Sequence, residues 1–129
     1  MEDLKQWYST YPEHIPNDVV IPSISVSEMF QQTVQIYGDH EAVSFYGIRL
    51  TYNEIAKMVF AFASSLQQSG VQKGDRVAIM LPNCPQYIVS YFGALSVGAI
   101  VTQINPMLVE RELEFIINDS GSETIVVLD

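Results

Sequence analysis

Apolar positions along the chain follow two rhythms, one helical and one of short continuous runs. Met29, Phe30, Thr33, Val34 and Tyr37 recur at helical spacing. Ser25-Val26-Ser27-Glu28 stands just before them and fits a capping box, in which serine and glutamate each satisfy a backbone N–H of the first turn. This predicts a helix that Gly38 closes in the left-handed conformation. Ala42 to Tyr46 and Ile48 to Leu50 flank Gly47 and predict two short strands in a hairpin. Thr51-Tyr52-Asn53-Glu54 is a second capping box. Behind it Ile55, Met58, Val59, Phe62 and Leu66 form one apolar stripe, and Gly70 ends that helix.

The second half alternates. Lys73-Gly74-Asp75 reads as a turn, and Arg76 to Leu81 is an apolar run typical of a strand buried on both faces. Asn83 is placed to cap the next helix, with Gln86 reaching back and Pro85 in the first turn, where its missing N–H costs nothing. That helix, 85–97, carries Tyr87, Ile88, Tyr91, Phe92, Leu95 and Val97 and no charge, so it should be buried on most faces. Ala99 to Ile104 is a further strand. Asn105-Pro106 leads into a helix with Val109, Leu113, Ile116 and Ile117 toward the core and Glu110, Arg111, Glu112 and Glu114 toward water. Ser120-Gly121 stops it, and Thr124 to Leu128 is a last, buried-type strand before Asp129. Helices alternating with strands imply right-handed parallel βαβ crossovers. The fold class is α/β, Rossmann- or flavodoxin-like, with a small β-hairpin.

Residues 1–24 break the pattern. Pro12, Pro16 and Pro22 recur among Trp7, Tyr8, Tyr11, Val19, Val20 and Ile21. Proline removes donors and fixes φ, so this stretch should be extended and irregular, lying along something larger. The chain thus divides into an extended segment, 1–24, and an α/β part, 25–129.

Composition narrows the partners. The chain has 129 residues, 48% of them apolar, enough for one domain with a core. Six basic against fifteen acidic side chains give a net charge of −9. Nucleic acid and a polybasic membrane contact are disfavoured, since both need clustered Lys and Arg. A single cysteine rules out an internal disulfide or a thiolate zinc site. Met1-Glu2-Asp3 is acidic where a signal peptide is basic, and no apolar run is long enough to span a membrane. A reducing, cytoplasmic compartment is expected.

Candidate chemistry is sparse. No glycine-rich phosphate loop can be written, and His14 and His40 lie in loops without metal-ligand spacing. Cys84 falls at a helix N-terminus, where the dipole favours a thiolate, but the surrounding Asn, Pro and Gln are explained by capping alone. Asn83, Asn105 and Asp129 share one property: each follows a predicted parallel strand, at the edge where open α/β sheets bind ligands. Each also reads as a cap or turn, and Asp129 simply as the last residue. No acid–base pair, nucleophile constellation or metal cluster emerges, so no catalytic or metal-binding residue is assigned. Ending on a strand, with an uncharged helix asking for more cover, the chain is expected to be a piece of something longer. Its uncovered apolar face would then bind a hydrophobic dye or a second copy.

A series of short motifs carries a resemblance. Leu50-Thr51-Tyr52-Asn53-Glu54-Ile55, Gly70-Val71, Lys73-Gly74-Asp75-Arg76-Val77-Ala78 and Leu81-Pro82-Asn83 come first. Phe92-Gly93-Ala94-Leu95, Gly98-Ala99, Ile104-Asn105-Pro106, Glu112-Leu113 and Asn118-Asp119-Ser120 follow in order. Together they resemble the opening blocks of the AMP-forming acyl-CoA synthetases, within the adenylate-forming superfamily. Trp7, Tyr11-Pro12-Glu13, Ile15-Pro16 and Met29-Phe30 resemble the start of the bacterial long-chain fatty-acyl-CoA ligases. One departure is Val109, where the family often has a capping Thr or Ser; valine cannot cap, so that helix should start less cleanly.

The resemblance implies the first α/β part of a large N-terminal domain. It implies a parent enzyme in which a fatty carboxylate attacks the α-phosphate of ATP, giving an acyl-adenylate, and coenzyme A then displaces AMP. Magnesium would offset the phosphate charge. The family's phosphate loop, adenine-binding aromatic, ribose-binding aspartate and mobile-domain lysine lie beyond residue 129, and none maps onto this sequence. The chain alone should be inactive. Its partners would be the remainder of its own chain and, for the parent, fatty acid, ATP and coenzyme A, in the cytoplasm or peripherally at a membrane. The competing reading is a free-standing flavodoxin-like binding module, which would present a finished surface.

Overall fold

The computed structural model describes residues 6–16 and 18–128. Helix α1 (Val26–Tyr37) precedes an antiparallel hairpin, β1 (Glu41–Phe45) and β2 (Ile48–Thr51). Then come α2 (Tyr52–Gln68), β3 (Arg76–Met80), α3 (Pro85–Ser96), β4 (Ile100–Gln103), α4 (Glu110–Ser120) and β5 (Thr124–Val127). The last three strands form a parallel sheet in the order β4-β3-β5, so the α/β reading holds. Among the described residues before α1 the chain is irregular and open except for a 3-10 helix at Gln6–Thr10, which its prolines did not announce.

Both predicted capping boxes are present. Ser25 Oγ accepts from the Glu28 N–H at 3.2 Å, and Glu28 accepts from the Ser25 N–H at 2.7 Å. Thr51 and Glu54 repeat this at the start of α2. Gly38 differs from expectation. It closes α1 with φ −47, in the right-handed region. Its lack of a side chain serves space instead, because a Cβ there would lie 2.6 Å from the Asn53 carboxamide.

The core has two halves joined by α2 and α3. Phe30, Ile55, Ala56 and Val59 form one half, beneath the hairpin. Leu66, Val71, Val77, Ala94 and Ala99 form the other, on the sheet. Phe30 of α1 stacks on Phe92 of α3, centroids 4.3 Å apart. α2 and α3 cross at Gly93, where an added Cβ would lie 2.7 Å from the Phe62 ring and 3.3 Å from the Val59 carbonyl. Ile55, Val59, Val77 and Ile79 are the large side chains sealed completely. Burying each contributes about 1.5–3 kcal/mol. Met58, placed on the same stripe as Ile55, is instead 37% exposed, because the stripe turns toward Ala56 and Ala63.

β3 is central, and Val77, Ala78 and Ile79 are fully buried, as the apolar run indicates. β5 is an edge strand with alternating burial, so its reading as a buried-type strand is corrected: Ile125 and Val127 are about half exposed. β4 and β5 flank β3 on opposite sides, so right-handed crossovers place α3 and α4 on opposite faces. The α3 face is the well-covered one. On the other face no residue of α4 is fully buried, and Phe115 stays open to solvent. The side chains of α3 are half-buried at Tyr87, Ile88, Tyr91, Phe92, Leu95 and Val97. That is less cover than their uncharged character asks for. Among the described residues no helix is long and apolar enough to cross a membrane.

Candidate functional site

Parallel pairing aligns Ile79 with Gln103 and Met80 with Val127, so the C-terminal ends of β3, β4 and β5 share one edge of the sheet. Asn83 and Asn105 both stand just past that edge and both are exposed. Asp129, the third candidate, lies outside the described residues.

Their local roles differ. Asn105 Oδ1 accepts the Met107 N–H at 2.9 Å, an Asx turn that carries the chain from β4 toward α4. The helix does not follow from Asn105-Pro106 directly: it begins at Glu110, with Val109 as its N-cap, 63% exposed and off the core face. Glu112 still reaches back to the Val109 N–H at 3.2 Å, but valine offers no oxygen in return, leaving half a capping box.

Asn83 does not cap α3. The N-cap is Cys84, in extended conformation, and no side-chain hydrogen bond closes that end. Pro85 does occupy the first turn. The backbone turns one residue later than the Asn/Gln pattern suggests, which leaves the Asn83 side chain free of a capping duty. Asn83 and the half-buried Cys84 line a shallow depression of about 340 Å3 with Ser44, Phe45 and Tyr87. Tyr87 stacks on Tyr91 with centroids 6.4 Å apart. Burial, then the neighbouring Tyr91, pushes the Tyr87 phenol above its ordinary value of 10.0, so it stays protonated at neutral pH.

This edge can donate and accept hydrogen bonds through two carboxamides, a phenol and loop backbone. Among the described residues it holds no nucleophile paired with a base. Among the described residues no three His, Cys, Asp or Glu side chains gather as metal ligands. His14 and His40 both lie in loops, as expected.

One residue with an architectural duty was missed. Arg76, read only as the start of a strand, fastens the opposite edge. Its Nε donates to the Ser120 carbonyl at 3.2 Å, its Nη2 to Gly121 at 3.1 Å and its Nη1 to Gly74 at 3.3 Å. A guanidinium opening an otherwise apolar strand was the available signal, since a fork of donors suits the bare carbonyls at a helix C-terminus.

Fold and strand-end geometry define a parallel α/β scaffold, and sequence comparison gives it a family. The AMP-binding enzyme family matches residues 30–129, and the chain belongs to that family. It is 41% identical over 129 residues, its whole length, to a long-chain-fatty-acid–CoA ligase of Bacillus subtilis, covering 23% of that protein. It is 41% identical over 126 residues to the enzyme of the same name from Escherichia coli O6:H1, covering 96% of this chain and 22% of that one. The chain thus spans less than a quarter of the length of these relatives. Among solved structures, the N-terminal subdomain of Klebsiella oxytoca NpsA superposes with a TM-score of 0.75 at 27% identity. The match covers 78% of this chain and 26% of that one. The inhibitor-bound N-terminal domain of FACL13 from Mycobacterium tuberculosis gives 0.73 at 31%, covering 77% and 25%.

Proposed function

We propose that this chain forms the first α/β part of the large N-terminal domain of a fatty-acid–CoA ligase, with residues 1–24 as an N-terminal segment outside it. The parent would activate a fatty acid, long-chain by preference, with ATP and magnesium, and transfer the acyl group to coenzyme A. It would work in the cytoplasm or peripherally at a membrane. The observation that carries this reading is 41% identity to a named long-chain ligase along all 129 residues.

Within the parent, these residues would frame the reaction rather than perform it. Among the described residues their strand-end edge offers carboxamides, a phenol and backbone, and that donor set does not fit a magnesium or nucleotide phosphate site by itself. No step is therefore assigned to a residue of this chain. Asn83 and Asn105 are the side chains it would bring toward a ligand. Without further cover, the exposed apolar faces would draw two copies together.

The experiment is direct. The purified chain is incubated with palmitate, ATP and magnesium, and pyrophosphate release is followed alongside hydrophobic-dye binding and light scattering. The reading expects no pyrophosphate, clear dye fluorescence and a dimer or larger species. Pyrophosphate release that depends on palmitate would overturn the inactivity of the chain. A monomer that ignores the dye would favour a free-standing binding module.

A further inference from the structure

We draw no further inference here: the strongest candidate, the apolar groove of about 620 Å3 between the hairpin, α2, α3 and the end of β5, lined by Phe45, Ile48, Met58, Val89 and Leu128, carries nothing because nothing in the structure shows what covers it.

Discussion

Arg76 and Gly121 meet at 3.1 Å, with the guanidinium Nη2 donating to the glycine carbonyl at the end of α4. The contact spans most of the βαβαβ unit and joins the start of the central strand to the stop of the last helix. Gly121 can take its left-handed φ of 65 without strain, which turns its carbonyl and that of Ser120 toward Arg76. The contact matters because α4 has little else. It buries no residue fully, and its other polar tie to the sheet runs through Ser120 and Ser122 to Thr102.

Arg76→Ala should therefore loosen α4 and β5 selectively. A charge-assisted hydrogen bond contributes about 1.5–3 kcal/mol where solvent is excluded. Arg76 is exposed, so the global loss should be nearer 1 kcal/mol. Hydrogen exchange should accelerate across residues 110–127 while Ile55–Leu66 stays protected. Uniform acceleration along the chain would show that Arg76 is not a local clasp.

Val109→Thr should stabilise the protein. Val109 already has the extended backbone of an N-cap, φ −80 and ψ 160, and Glu112 is already in place. A threonine hydroxyl would supply the missing acceptor at a site where valine is mostly solvent-exposed. The gain should be about 0.5–1.5 kcal/mol. Urea unfolding reads it as a raised midpoint with an unchanged slope. An unchanged or lowered midpoint would mean that the half-box already satisfies this end.

The two complete capping boxes predict acid sensitivity. Hydrogen bonds to Glu28 and Glu54, first from the cap backbone and then from the cap hydroxyl, hold both carboxyls below their ordinary value of 4.5. A folded value below the unfolded one means the unfolded chain binds more protons in that window, so stability rises with pH. The contribution is fully present above about pH 4.5 and is lost as pH falls through the lowered folded values. Glu54→Gln keeps the reach to the Thr51 N–H but removes one titration. Urea midpoints taken from about pH 6 down to about pH 3 should fall less steeply for this variant than for the parent sequence. Parallel curves would show that Glu54 contributes nothing to the acid sensitivity.

Much of this architecture is legible in the sequence because its signals are local. Ser25 and Thr51 announce their helices through a residue three positions on, and the apolar run 76–81 announces a central strand. What escaped depends on how the elements are placed in space. Gly38 leaves room for the Asn53 carboxamide and is not called for by its own φ. Cys84 rather than Asn83 begins α3, because adjacent residues compete for the cap and only the path out of β3 decides between them. β5 looks buried by composition, yet the order β4-β3-β5 places it at an edge. For the site, the shared edge of Asn83 and Asn105 follows from parallel topology, while the Arg76 clasp needed the position of α4.

A chimera tests most directly the proposal that this chain serves as the scaffold part of a fatty-acid–CoA ligase and makes no product alone. The matched segment of the Bacillus subtilis long-chain-fatty-acid–CoA ligase, 41% identical over 129 residues, is exchanged for this chain. Palmitoyl-CoA formation is then measured for the chimera and for the chain alone. The predicted result is ATP- and coenzyme A-dependent product from the chimera and none from the chain. A chimera that folds with a cooperative melt yet makes no product, or a chain that makes product unaided, would contradict the claim.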